Sequence, residues 1–204
     1  MTTKDRILTS ALDLFSKRGY EAVSVEDIAQ QVGIKAPSLY KHFKGKREIF
    51  NALLEETKNR FMLFLPSISL DRNIESIPNL EEIEENAIRF LHYSLHDKFA
   101  SSFRKMMTIE QFSTPETAEI YSWQYLYHML GYHTSLFSSL MERGLLKEGD
   151  AEAMAMMYGS VFAALFSECD RHPEKEKEAE DRLRRHIRLF YSTFSPKKTE
   201  EKNT

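Results

Sequence analysis

A run of aromatic and basic residues near the amino terminus has the side chains that bind nucleic-acid phosphates. The run is Tyr40, Lys41 and His42. Lysine brings positive charge, and tyrosine and histidine bring hydrogen-bond donors that suit phosphate oxygens. Ala36 and Ser38, just before the run, are small enough to approach the edges of bases. These two groups could act together only if one helix presented both of them.

The surrounding residues predict a helix-turn-helix that would position these side chains. In the segment SVEDIAQQVGIKAPSLYKHF, Ser24 caps a first helix and Gly33 gives the turn its positive φ. A second helix begins near Ala36, and Leu39 and Phe43 face inward because they lie four residues apart. The opposite face of this second helix is therefore free to enter a DNA major groove, with its first residues nearest the bases.

The predicted DNA contacts differ in kind. Ala36 and Pro37 offer apolar contact to thymine methyl groups, and Lys46 begins a further helix whose charge and free N–H groups can bind a phosphate. A helical corner with a solvated basic face is the alternative, but the cap, the turn glycine and the basic run coincide here. The predicted DNA-binding residues are Ser24, Lys35, Ala36, Pro37, Ser38, Tyr40, Lys41, His42 and Lys46.

The longer segment SVEDIAQQVGIKAPSLYKHFKGKREIF resembles the amino-terminal signature of the TetR family of bacterial transcriptional regulators. The resemblance implies a homodimer with about nine helices per subunit and a palindromic operator in double-stranded DNA. It implies a carboxy-terminal domain that binds a small-molecule effector, and usually a repressor that this ligand releases. It also implies that Tyr40, His42 and Lys46 contact the DNA backbone, while Ala36 and Ser38 lie on base edges.

The rest of the chain has helical patterns throughout, so the predicted fold class is all-α. The 204 residues include only 7 Gly and 6 Pro, few for a strand-rich fold. The later predicted helices span residues 46–64, 80–97, 100–112, 116–143, 150–171 and 175–194. We predict a three-helix helix-turn-helix DNA-binding domain in residues 1–50, a helical effector-binding and dimerisation domain in 51–195, and a polar tail in 196–204.

Charge is divided unevenly along the chain. Residues 1–50 hold nine Lys or Arg and six Asp or Glu, whereas the whole chain has a net charge of −3. A basic head on an acidic body would orient toward phosphates. The single cysteine, Cys169, excludes an internal disulfide and fits a reducing cytosol. No apolar stretch is long enough to span a membrane, so we expect a cytoplasmic protein without a membrane partner.

The helices between residues 80 and 143 are rich in aromatic residues and methionine. Any one of these residues suits an ordinary core, but as a set they favour a cavity for a hydrophobic or planar ligand. The predicted pocket residues are Phe64, Phe90, Phe103, Met107, Trp123 and Tyr127.

The last two helices suggest a subunit interface. Small residues in 150–171 would let another helix approach closely, and the final helix ends in an apolar run. Both could pack inside the monomer, but we favour a four-helix interface in a two-fold dimer, which would place two reading helices about 34–36 Å apart. The predicted interface residues are Ala155, Gly159, Phe162, Phe166, Ile187, Phe190 and Tyr191.

Two other classes of function stay open. An enzyme with an accessory DNA-binding head would show turnover, but we find no Gly-rich phosphate loop or nucleophile elbow and expect no catalysis and no cofactor. A DNA-binding protein without an effector would have a DNA affinity that small molecules leave unchanged. His92 and His96 have a permitted metal-ligand spacing, but no carboxylate completes an obvious site, so we expect no metal.

Overall fold

The computed structural model describes residues 1–64 and 79–196, and within them the side chains of residues 61, 62 and 64 are not described. Every regular element in these ranges is a helix, which confirms the predicted all-α fold class. The helices are α1 (Thr3–Arg18), α2 (Val25–Val32), α3 (Ala36–Tyr40), α4 (Lys46–Phe64), α5 (Leu80–His96), α6 (Lys98–Glu110), α7 (Pro115–Ser122), α8 (His128–Glu142), α9 (Ala151–Arg171) and α10 (Glu176–Phe194). None of the helices described is both long and apolar enough to cross a membrane.

The predicted helices agree with the observed ones except at one break. The sequence predicts a single helix over residues 116–143, whereas α7 and α8 are joined there by a π-helical turn, Trp123–Tyr127. A π turn keeps a helical period with wider hydrogen bonding, so hydrophobic spacing alone does not reveal it. A 3₁₀ turn, Pro173–Lys175, precedes α10.

Local hydrogen bonds set the ends of α1. At its start, Asp5 N–H donates to Thr2 Oγ1 at 3.1 Å and Thr2 N–H donates to the Asp5 carboxylate at 2.7 Å. At its end, Gly19 has φ 82°, and its N–H donates to the Phe15 carbonyl at 2.9 Å. Both ends are encoded locally, because a capping box and a terminal glycine act within a few residues.

The first of two compact units consists of the described residues in 1–64 and 92–122. In it, α1 packs against α2 and α4 and also against α6. Its buried apolar residues include Ile7, Phe15, Ile28, Ile49, Phe50, Leu53, Phe103, Met106 and Met107. The helix-turn-helix therefore belongs to a larger packed unit than the predicted domain of residues 1–50, and a functional boundary at residue 50 stays a prediction.

The second unit consists of the described residues in 79–91 and 123–196. In it, α8 packs against α9, and α9 packs against α10. The buried Glu84 carboxylate on α5 accepts hydrogen bonds from Arg188 Nε at 2.7 Å and Arg184 Nη1 at 3.2 Å. The bond from Arg188, more than that from Arg184, lowers the pKa of Glu84. This ion pair fixes α5 against α10.

Candidate DNA-binding surface

The first helix of the motif, α2, is held at both ends by local hydrogen bonds. At its start, Asp27 N–H donates to Ser24 Oγ at 3.0 Å, and Ser24 N–H donates to the Asp27 carboxylate at 2.9 Å. The bond from the Ser24 backbone lowers the pKa of Asp27. At its end, Gly33 has φ 78° and ψ 35°, the left-handed conformation that glycine adopts without strain. Ser24 is thus a helix cap as predicted, and its DNA contact stays a prediction.

The second helix, α3, is short and is fixed by its buried side. The N–H groups of Ser38 and Leu39 both donate to the Lys35 carbonyl, at 2.8 and 3.3 Å. Leu39 is completely buried and Phe43 is 2% exposed, as their spacing predicts. Because these two anchors hold one side in the core, the other side of α3 faces solvent.

The solvent-facing side carries the predicted aromatic and basic residues. Tyr40 is 50% exposed, and Lys35, Lys41 and His42 are also exposed. At the start of α3, Ala36 and Ser38 are partly exposed and Pro37 is exposed. The structure therefore presents small residues at the start of α3 and aromatic and basic side chains at and just after its end. Their individual DNA contacts stay predictions.

Lys46 already has partners within the protein. Its ammonium group donates to the Tyr20 carbonyl at 2.7 Å and to the Glu21 carbonyl at 3.3 Å, and it lies 4.2 Å from the centre of the Tyr20 ring. The Lys46 side chain is only 21% exposed. It therefore ties α4 to the connection between α1 and α2. A phosphate contact from this side chain would require it to exchange these partners.

Two basic residues beside α3 were not identified from sequence patterns. The Lys4 ammonium lies 5.4 Å from the centre of the Phe43 ring, which places the start of α1 next to the end of α3. Lys44 directly follows Phe43 and is exposed. With Lys41, these side chains extend the positive surface. The position of Lys4 depends on how α1 packs, and residue spacing does not show this packing. Lys44 lies within the basic run, so it could have been included among the predicted DNA-binding residues.

A buried carboxylate fixes the corner between α1 and α2. Glu110, on α6, is 3% exposed, and its Oε1 accepts a 2.7 Å hydrogen bond from Tyr20 N–H. The same oxygen lies 2.9 Å from the place where a Cβ on Gly19 would be. Space as well as backbone conformation therefore requires glycine at position 19. Arg47 of α4 also forms an ion pair with Glu116 of α7, which links the helix after the motif to a later part of the chain.

The predicted pocket residues lie in several environments. Phe103 and Met107 are core residues of the first unit, at 1% and 0% exposure. Trp123 and Tyr127, on the π turn, are 43% and 54% exposed. The Phe64 side chain lies outside the described residues. Aromatic composition identified these residues, but it does not report which of them face one another.

Phe90 belongs to an aromatic cluster of the second unit. Its ring centre lies 5.2 Å from that of Phe162 and 5.8 Å from that of Phe166. These edge-to-face contacts are typical of a packed core. Among the predicted pocket residues whose side chains are described, Phe90 is the one that packs in the aromatic core of the second unit.

An aromatic cleft does occur in the second unit, and other residues line it. The space between its walls is about 630 Å³ when the open solvent at its mouth is counted, of which only about 80 Å³ compares with the volume of a closed cavity. Its lining includes Phe137 from α8, Tyr158 from α9, and Ile187, Phe190 and Tyr191 from α10. The last three residues were predicted to contact a second subunit, whereas in the structure they line this cleft. The cleft forms where three helices meet, so no single stretch of sequence indicates it.

The other predicted interface residues lie on opposite sides of α9. Ala155, Phe162 and Phe166 are less than 10% exposed and pack in the core of the second unit. These three buried residues, like Ile187 on α10, are therefore not available to a partner surface. Gly159 differs, because no atom lies within 4 Å of a Cβ built on it. The helical period identifies an apolar stripe but not whether the same subunit covers it.

The comparisons with known proteins agree on one family. The family described as "Bacterial regulatory proteins, tetR family" matches residues 7–53. The negative transcriptional regulator IcaR of the biofilm operon icaADBC in Staphylococcus epidermidis is 42% identical over 62 residues, which are 30% of this chain and 34% of IcaR. Residues 7–53 are therefore similar to the amino-terminal segment of TetR-family regulators. The chain matches about a third of the length of this relative.

Solved structures extend the likeness of fold over nearly the whole chain. The SmeT–triclosan complex has a TM-score of 0.73 at 20% identity, covering 97% of this chain and 94% of SmeT. A TetR-family regulator from Mesorhizobium loti has a TM-score of 0.71 at 20% identity, covering 95% and 97%.

Proposed function

We propose that the chain is a transcriptional repressor whose affinity for operator DNA changes when a small molecule binds. The construction of α3 carries this proposal, because burial of Leu39 and Phe43 leaves Tyr40, Lys41 and His42 on the solvent side. These side chains suit the phosphates on either side of a major groove. Similarity to the negative regulator IcaR over 62 residues supports repression.

Selection among DNA sequences would rest on few side chains. Ala36 offers only a methyl group, and Ser38 offers one hydroxyl. Direct readout from the start of α3 is therefore modest, and DNA shape and the spacing of two half-sites would contribute more.

Response to a small molecule is supported by proteins of the same fold. SmeT is seen in complex with triclosan, and FrrA is described as a flavonoid-responsive regulator. An aromatic cleft in the second unit supports a hydrophobic or aromatic effector for this chain. A DNA affinity that such compounds leave unchanged would instead favour a DNA-binding protein without an effector.

A two-fold dimer is supported by the exposed sides of α9 and α10. Met156 and Met157 on α9 are 42% and 52% exposed, and Leu189 on α10 is 67% exposed. Ala163 is exposed, and Gly159 borders open space, so a second helix can approach α9 closely. We place the interface on this side, opposite to the buried apolar stripe.

The DNA-binding proposal is tested by selecting bound DNA from a random pool and measuring affinity by fluorescence anisotropy. We expect Tyr40→Ala and Lys41→Ala each to weaken binding about tenfold, and Lys41→Ala to reduce the slope of log K against log salt by about one. Lys177→Ala is the matched control, because it removes the same charge from an exposed position on α10. Equal effects of Lys41→Ala and Lys177→Ala would contradict the assignment of α3.

The dimer is tested by light scattering at micromolar concentration. Ala163→Arg should yield a monomer, because the interface would bury an unpaired charge. Ser113→Arg, at an exposed position between α6 and α7, should leave the dimer intact. A native protein that is monomeric under these conditions would refute the proposed interface.

A further inference from the structure

The cleft of the second unit has aromatic walls from three helices. The ring centre of Tyr158 lies 4.9 Å from that of His133 and 5.3 Å from that of Phe190. The ring centres of Phe137 and Phe190 are 5.5 Å apart. Rings at these distances present faces and edges that favour stacked or edge-on contact with another flat ring.

One hydroxyl group in the lining of the cleft has no hydrogen-bond partner within the described part of the chain. Ser195 Oγ is buried and makes no hydrogen bond with any described residue. The Ser195 backbone is held in place, because its N–H donates to the Tyr191 carbonyl at 2.9 Å. Buried hydroxyl groups are normally hydrogen-bonded, so this atom is available to a molecule bound in the cleft.

His133 supplies a hydrogen-bond acceptor in the same lining. Its Nδ1 lies 2.9 Å from the Met129 carbonyl. Because a carbonyl oxygen only accepts, Nδ1 carries the hydrogen, and Nε2 of the neutral ring keeps a free lone pair. Burial lowers the pKa of His133 to about 4, so the ring is neutral at pH 7.

The cleft offers no counter-charge to a ligand. Among the described residues that line it, none is Asp, Glu, Lys or Arg. Burial also raises the pKa of Tyr158 to about 12, which keeps its phenol protonated. An ionised ligand would lose its hydration in this cleft without gaining an ion pair.

We propose that this cleft binds a neutral, planar aromatic molecule that carries a hydroxyl group. The ring system would lie against Tyr158 and Phe190, and the hydroxyl group would hydrogen-bond to Ser195 Oγ and His133 Nε2. As the effector site of a repressor, the cleft rests on the proposed function, but binding of the molecule itself requires no DNA.

Three related probes test the ligand chemistry in isothermal titration calorimetry with the full-length protein. 2-Naphthol has the neutral ring and the hydroxyl group, 2-methoxynaphthalene has lost the donor, and 2-naphthoate is ionised at pH 7. We expect 2-naphthol to bind tightest and 2-methoxynaphthalene to bind about tenfold weaker, because one hydrogen bond is lost. We expect no saturable binding of 2-naphthoate. Absence of 2-naphthol binding, or tighter binding of 2-naphthoate, would overturn the proposal.

A pair of serine variants tests whether 2-naphthol binds in the cleft. Ser195→Ala removes the unpartnered hydroxyl, so it should weaken 2-naphthol binding about fivefold and leave the melting temperature of the free protein unchanged. Ser192→Ala is the control, because Ser192 is exposed on α10 and its hydroxyl donates to the Leu189 carbonyl. It should leave 2-naphthol binding unchanged. Unchanged binding in Ser195→Ala, or the same loss in both variants, would show that the molecule binds elsewhere.

His133→Phe gives a second test of whether the probe binds in the cleft. It preserves an aromatic wall and removes the acceptor, so the preference for 2-naphthol over 2-methoxynaphthalene should fall severalfold. An undiminished preference would overturn the role of His133. A protein that binds operator DNA but not 2-naphthol contradicts the cleft assignment alone, whereas one that binds 2-naphthol but no DNA contradicts the repressor and supports the cleft.

Discussion

The helix-turn-helix and the cleft of the second unit use aromatic side chains in opposite ways. Tyr40, the last residue of α3, is exposed, whereas Phe43, three residues later, is buried, so one short segment both anchors itself and presents a surface. In the cleft, Phe137, Tyr158 and Phe190 come from three helices and meet only in the folded protein. The first arrangement is encoded within a few residues, and the second depends on long-range packing.

The largest expected effect on stability distinguishes the buried side of α3 from its exposed side. Leu39→Ala leaves a cavity in the first unit, because Leu39 is fully buried, and should lower the free energy of unfolding by about 3 kcal/mol. Tyr40→Ala, at the next position, should change it by less than about 0.5 kcal/mol. Urea denaturation followed by circular dichroism measures both. Similar losses in the two variants would break the distinction between the sides of α3.

The free energy of unfolding should depend on pH because of His133, which lies in the second unit. Burial lowers the pKa of His133 from 6.5 to about 4. Between these values the unfolded chain binds the proton and the folded protein resists it, so stability falls as pH drops from 6.5 toward 4 and this loss levels off below 4. The loss should reach about 3 kcal/mol in the free energy of unfolding.

The control for this pH effect is His133→Asn, which keeps an N–H donor but does not titrate. Its unfolding free energy, measured in urea at several pH values, should depend less steeply on pH over the same window. If the variant and the native protein had equal slopes, His133 would not be buried in its neutral form.

Smaller changes in stability are expected from alanine substitutions at two glycines. Gly33 has φ 78°, so Gly33→Ala should cost about 1 kcal/mol because a Cβ is strained in that conformation. Gly131 lies within α8 with no atom within 4 Å of a Cβ position, so Gly131→Ala should stabilise the protein by about 0.5–1 kcal/mol. Thermal denaturation measures both shifts. Stabilisation by Gly33→Ala would mean that the turn does not need its left-handed residue.

The parts of the molecule that were predictable from sequence are those fixed by near neighbours. Ser24 and Gly33 mark the ends of α2, because caps and turns act over a few residues. Leu39 and Phe43 were assigned to the core by their helical spacing. The helical period therefore predicts the direction of a side chain well when the covering elements are close in sequence.

The remaining features depend on residues that are distant in the chain. Lys46 turns toward the carbonyl of Tyr20, and Tyr20 N–H meets Glu110 ninety residues later. Phe162 and Phe166 were assigned to a subunit interface because their stripe is apolar, yet their own subunit covers them. The pattern of apolar residues shows that a face is buried, and only the folded structure shows what buries it.

The bond between Tyr20 and Glu110 limits how this protein can be dissected. A fragment of residues 1–50 would contain every predicted DNA contact, but it would lack α6, which packs along α1. Its α1 would expose apolar surface, and the Tyr20 N–H would lose its acceptor. The segment of residues 1–50, which carries the predicted DNA contacts, therefore depends on α6 for its packing. A fragment intended to fold alone would have to include α6. Otherwise both the apolar face of α1 and the corner at Gly19 would have to be redesigned.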